Sequence, residues 1–406
     1  MRHGLYAHPW DLTALDEDGG LTRVAALGFG DVSMAVTDYG GRMLRAWTNG
    51  GVVRDLEGGV VHFAPRGDYG RLRPIPSAEV RAGEASPLEH LIDGCRTAGL
   101  DAWAWARPLR NPRLGDRFPT ACVVNAFGDR YRTVLCPAQP VVQEYVLQMV
   151  DDIADHAGLH GIELEAIGFA DHRRGGARTA EALPPDPYVD FLLSVCFCPD
   201  CNDSVARTGL DGERLRGHVR DLVRRRLVAA DVLAPMTRRP SHEEVFRTLE
   251  ADLGNAGMFA LWSHRLSVYM RLLTRIREVV AGRCRIALHV NFHSLFAGDA
   301  IGAPLQVVQN HADELIVSHL FETPDQVRQA WRGQPADKVA IRAAIQPKPP
   351  AYRSLDDLWA VREAVKDAGG KGLKVHHLGL LPWPTIERVA AVLRETVPGG
   401  RARVLR

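Results

Sequence analysis

Short apolar runs with period-two alternation recur along this chain, and longer stretches with helical spacing separate most of them. Eight runs predict strands: Gly4–His8, Asp31–Asp38, Asp101–Arg107, Gly161–Ile167, Arg285–Phe292, Glu314–Phe321, Lys338–Ile345 and Leu373–Leu380. The stretch "PLEHLIDGCRTAGL" predicts a helix before strand three, and "QPVVQEYVLQMVDDIADHAGLH", with apolar residues at i, i+3 and i+4, predicts a surface helix leading into strand four. Alternating strands and helices predict a parallel sheet. Eight repeats predict an α/β fold of the (β/α)8 TIM-barrel type, one domain over residues 1–406, with an open doubly wound sheet as the alternative.

Two connections exceed simple loops. Residues 40–75 alternate around paired glycines and predict a β-hairpin excursion after strand two. About 115 residues separate strands four and five, and residues 168–255 among them predict a long helical excursion holding three cysteines. Ser241 and Glu244 have capping-box spacing for one of its helices. Both excursions leave from C-terminal strand ends, the face on which barrel active sites form.

With 406 residues, 46% hydrophobic, 24% charged and a formal net charge of +1, the composition is that of an ordinary globular protein. It supplies no electrostatic reason to expect nucleic acid or an acidic membrane as partner. The N-terminus has no apolar signal core and no apolar run reaches the roughly 18 residues of a membrane span, so a cytoplasmic location is expected. In that compartment the seven cysteines point to thiols or metal ligands rather than disulfides. Assembly of identical subunits is left open.

On strand four, "GIELEAIGF", Glu163 and Glu165 share one face and Ile162, Leu164 and Ala166 the other. Burying unpaired carboxylates against helices is costly, so the apolar set faces the helices and the glutamates face the barrel interior, with Glu165 nearer the mouth. The alternative for these glutamates is a structural ion pair with an interior cation such as Arg342. Glycoside hydrolysis takes two carboxyl groups flanking the scissile bond. Partners for Glu165 are Glu322 after strand six, Asp38 after strand two and Asp171 after strand four, whereas strand seven offers no acid. Glu322 is the preferred acid, with Glu163 orienting Glu165.

His8, His289, His293, His319, His376 and His377 fall at or near strand ends. With Asn291, Asp38 and Arg107 they suit a polar sugar cleft in which Trp103, Trp105 and Trp383 stack on ring faces. A catalytic metal held by strand-end histidines is the alternative, giving a metal-dependent isomerase, epimerase or hydrolase. Arg107, Arg110 and Asn111 either bind an acidic substrate group or brace the mouth. No glycine-rich phosphate loop follows a strand, so no nucleotide cofactor is expected.

In "VCFCPDC", the spacing of Cys196, Cys198 and Cys201 suits one tetrahedral ion, with His172, Asp203 or a distant cysteine as fourth ligand. The expectation is a structural zinc that orders an excursion poor in apolar residues. Cysteines that merely pack are the alternative.

Several of these segments resemble hypothetical glycoside-hydrolase-like barrels. "LCPAQPVVQEYVLQMVDDIADHAGLHGIELEAIGF" is similar to that group's P-x-x-P-x-V-x-x-Y helix entry followed by G-I-x-L-[DE] on strand four. "GGVVHFAPRGDYG" and "AGLDAWAWARPLRNP" resemble its approach to strand three, and "CFCPDC" a Cys-x-Cys-x-x-Cys element after strand four. The similarity spans roughly residues 1–205. It implies a carbohydrate-related barrel and aligns Glu165 with the acidic position of G-I-x-L-[DE]. The function expected is therefore glycosidase-like hydrolysis of a small glycoside or sugar-derived metabolite. Metal-dependent chemistry and non-catalytic carbohydrate binding are the alternatives.

Overall fold

The computed structural model describes residues 1–16, 18–38, 40–48, 51–169, 186–229, 240–292, 308–320, 322–332 and 339–394. Eight parallel strands close into a barrel: β1 (Gly4–Ala7), β2 (Asp31–Ala35), β3 (Asp101–Ala106), β4 (Gly161–Leu164), β5 (Arg285–Val290), β6 (Glu314–His319), β7 (Ala340–Ile345) and β8 (Gly372–Val375). The ring closes where Gly4 and Leu5 of β1 pair with Lys374 and Val375 of β8. The fold is thus the (β/α)8 barrel expected from the alternation.

Period-two alternation sorts the side chains. Ile162, Leu164, Leu288, Val290, Leu315, Val317, Ile341, Leu373 and Val375 point outward into the main core, which the surrounding helices cover. Tyr6, Ala35, Trp103, Trp105, Ala287, Ile316 and Ala344 fill the barrel interior. The helix Pro87–Ala98 shows how the cover is built. Ser86 and Glu89 form a reciprocal capping box at its start, Leu88, Leu91, Ile92 and Cys95 form its buried stripe, and Gly99 ends it at φ 70°.

Most strands stop short of their predicted C-terminal ends because the chain there leaves the ladder to build the mouth. After β2, Thr37–Asp38 pairs antiparallel with Val60–Val61, and Gly41–Leu44 pairs with Val53–Leu56 as a hairpin. Between β3 and β4 lies a hairpin absent from the sequence reading, Cys122–Val124 against Arg130–Leu135.

The β4–β5 connection carries the helices Pro187–Ser194, Pro199–Ala206, Gly212–Ala229 and His242–Val280, the last kinked at Gly254 and opened by the Ser241–Glu244 capping box. This insertion is not poor in apolar residues. Tyr188, Phe191, Leu192, Leu215, Val219, Leu222, Leu249 and Leu261 form a second core within it. Among the described residues no helix is long and apolar enough to cross a membrane.

Candidate active site

The barrel interior is polar in tiers. At the N-terminal end Arg342 bridges Asp31 (Nη1–Oδ2 2.5 Å) and Glu314 (Nε–Oε1 2.5 Å). A Cβ on Gly4 would overlap the Asp31 carboxylate, so glycine is required beside it. Burial works against the Asp31 charge, but Arg342 and Lys374 outweigh it and hold the carboxyl below the usual range.

In the middle tier Glu163 is fully buried. It accepts hydrogen bonds from Ser33 Oγ (2.8 Å) and the Tyr6 hydroxyl, pairs with Lys374 Nζ, and meets His289 Nε2 at 2.6 Å. Burial alone would neutralise it. Lys374 and His289 together hold its pKa well below the ordinary value. Glu163 therefore forms the structural ion pair named as the alternative, with Lys374 rather than Arg342 as the cation. His289 spends its other nitrogen on Ser318 Oγ at 3.0 Å. Burial opposes a charge on this ring, but Glu165 and Glu163 outweigh that and raise its pKa.

Glu165 lies at the mouth, half-buried at the end of β4. Trp105 Nε1 donates to its Oε2 at 2.6 Å, and its own N–H donates to the Ala106 carbonyl at 2.9 Å. The next residue, Ala166, is held at φ 57°, a left-handed conformation that non-glycine residues adopt at a cost of about 1–2 kcal/mol. Position and strain together fix where this carboxylate projects.

Histidine rings gather beside it. His376 stacks on Tyr6 at 3.8 Å between centroids, and its Nδ1 meets His377 Nε2 at 2.7 Å across a cis peptide. His8 stacks on Trp10 at 4.8 Å and lies edge-on to His377 at 5.0 Å. His376 Nε2, His377 Nδ1 and His8 Nδ1 are buried without a hydrogen-bond partner among the described residues. Burial and neighbouring rings push His8 and His376 well below the usual imidazole pKa, and burial and Arg107 bring His377 to about 3. At neutral pH these rings are uncharged. His376 and His377 spend one nitrogen on each other, so of their two remaining nitrogens one donates and the other accepts, as sugar hydroxyls require.

Other sequence candidates fall elsewhere. Glu314, Ile316 and Ser318 alternate inward on β6, so His319 points outward. Its Nδ1 meets Glu322 Oε2 at 2.7 Å, and its Nε2 accepts from Trp331 Nε1 at 3.0 Å. It is no mouth ligand. With both nitrogens of His289 and His319 engaged, neither histidine is free to take a catalytic metal. Glu322 remains partly exposed, with Oε1 not engaged by His319.

Trp383 is covered by the Arg23 guanidinium at 3.7 Å and bonds Glu387, so it packs a helix start rather than a sugar. Trp103 plugs the barrel interior, and Trp105 is buried with Arg107 over its ring at 4.2 Å. Trp105 thus serves Glu165 and is no open stacking platform. Asn111 caps the helix Pro112–Arg117 and so braces the mouth. Arg107 and Asp38 are buried at the mouth and Asn291 is half-buried at the end of β5. Asp171, His172 and His293 lie outside the described residues.

Cys196, Cys198 and Cys201 come together with Cys136, all four buried and with their sulfurs within 4.8 Å of one another. Sequence reasoning also missed Tyr6, Ser33, Lys374 and Asp11. Lys374 and His376 share the inward parity of β8, a signal that was there to be found. Asp11 is buried on the helix after β1 and accepts the His8 N–H at 2.9 Å. Burial pushes its carboxyl up to about 6.

No protein-family model and no curated protein sequence matches the chain. Solved structures similar to it include the PgaB (BpsB) glycoside hydrolase domain from Bordetella bronchiseptica, at 11% identity and TM-score 0.58, covering 98% of this chain and 100% of that one. The catalytic domain of β-amylase from Paenibacillus polymyxa is similar at 9% identity and TM-score 0.53, covering 94% and 93% respectively. An α-L-fucosidase from Paenibacillus thiaminolyticus is similar at 11% identity and TM-score 0.52, covering all of this chain and 51% of that one. At these identities the likeness is one of fold.

Proposed function

We propose that the protein is a glycosidase-like hydrolase acting on a small glycoside or sugar-derived metabolite at the C-terminal mouth of the barrel. One observation carries this reading. Asp31, Glu163 and Glu314 are buried against Arg342 or Lys374, whereas Glu165 is partly exposed at a strand end with the Trp105 indole N–H aimed at it. Glu165 acts as nucleophile or electrostatic stabiliser at the anomeric carbon. Glu322, accepting at Oε2 from His319, protonates the leaving oxygen from Oε1. His8, His376 and His377 bind hydroxyls as neutral rings, and Glu163 acts from below by fixing His289 and Tyr6. The similar solved structures, named as a glycoside hydrolase domain, a β-amylase and a fucosidase, support the same chemistry.

The test is hydrolysis of a panel of 4-nitrophenyl glycosides by wild type and Glu165→Gln. The expected result is activity on at least one member, with kcat reduced on the order of 10²–10⁴-fold in the variant at unchanged melting temperature. Full activity in Glu165→Gln overturns the assignment. Sugar binding without turnover, unchanged in the variant, shows a carbohydrate-binding barrel instead. The zinc expected at the cysteines belongs to the framework and takes no part in these steps.

A further inference from the structure

We infer that Cys136, Cys196, Cys198 and Cys201 hold one zinc ion, which cross-links the hairpin between β3 and β4 to the helical insertion between β4 and β5. The fourth ligand comes from a separate segment of the chain. Cys136 follows the strand Arg130–Leu135, and its sulfur lies 3.7 Å from that of Cys198 and 3.6 Å from that of Cys201. A tetrahedron with Zn–S bonds of about 2.3 Å has edges of about 3.8 Å, so both separations match edges between ligands of one ion. They are far longer than the roughly 2.05 Å of a disulfide, and all four thiols are free.

The surroundings suit thiolates. The N–H groups of Val124 and Cys198 point at Cys196 Sγ at 3.4 and 3.5 Å. Such donors orient a thiolate ligand and stabilise its charge. Cys198 is the N-cap of the helix Pro199–Ala206, whose dipole favours negative charge there. The two segments already touch through Phe197 N–H on the Val124 carbonyl at 2.7 Å. Binding exchanges Zn²⁺ for four thiol protons and leaves a buried Zn(S-Cys)₄ centre of charge −2. This site is independent of the hydrolase reading.

The experiment is elemental analysis of the full chain purified without chelator, as wild type, Cys136→Ser and Cys284→Ser. The expected result is one zinc per chain in wild type and Cys284→Ser, and its loss in Cys136→Ser with a lower melting temperature. Titrating native wild type with a mercurial reagent, which needs no variant to fold, should release that one zinc as four thiols react. Cobalt-loaded protein should show the ligand-field bands of a tetrahedral thiolate site. Metal-free protein with all four thiols reactive, iron in place of zinc, or a full zinc equivalent in well-folded Cys136→Ser would each overturn the assignment.

Discussion

Glu163 and Lys374 are both fully buried and satisfy each other inside the barrel. Glu163→Gln takes the nearest counter-charge from the Lys374 ammonium and leaves it Asp31 at 3.6 Å, and removing one partner of a buried pair costs about 3–5 kcal/mol. Chemical denaturation should show that loss. Adding Lys374→Met should recover most of it, because no stranded charge then remains. Asp11 gives a pH signature. Its folded pKa of about 6 lies above the ordinary 3.8, so its contribution to stability is present below pH 4 and lost as pH rises through 6. Asp11→Asn removes that loss, so the variant should gain on the order of 3 kcal/mol on wild type between pH 4 and 7. A stability difference independent of pH would refute this. Ala166→Gly should relieve the left-handed strain, leaving the melting temperature unchanged or raised, while loosening Glu165 and lowering kcat.

At the scale of elements, the barrel strands were legible because their outward residues read Ile-Leu-Val while the inward ones could be polar without penalty. That contrast also placed Glu163 and Glu165 correctly. Strand ends were not legible, because they depend on where the mouth loops pull the chain out of the ladder, as at Ala166. His319 was misplaced because nearness to a strand end was weighed without parity, and Ser318 takes the inward position. The insertion's core escaped notice because Leu215, Val219 and Leu222 are diluted among arginines on one amphipathic helix. The fourth cysteine could be anticipated only as a distant one and not singled out as Cys136, because its nearest partner among the three, Cys196, is sixty positions away. Gly254, at φ 68° and ψ 164°, occupies a region nearly reserved for glycine. Open space surrounds it, so Gly254→Ala should cost about 1–3 kcal/mol through backbone conformation alone. Hydrogen exchange confined to the insertion helices is the measurement that checks this.

For the molecule as a whole, two cores imply two levels of cooperativity. The eight strands share one core and an interior charge network, so their amides should exchange together at the slowest rate. The helices Pro187–Ser194 and Gly212–Ala229 rest on the second core and should open more readily. Chelating the proposed metal should widen that gap. Equal protection throughout would show a single unit.

The closure of the ring between Gly4 and Lys374 also sets a timetable for synthesis. About 370 residues separate these partners, and at roughly 5–20 residues per second a ribosome needs about 20–75 seconds to deliver the second after the first. Throughout that interval one edge of β1 has no neighbour, and an unpaired edge is a template for the wrong chain. Yield in cells should therefore respond to chaperone supply during translation more than the stability of the finished barrel would suggest.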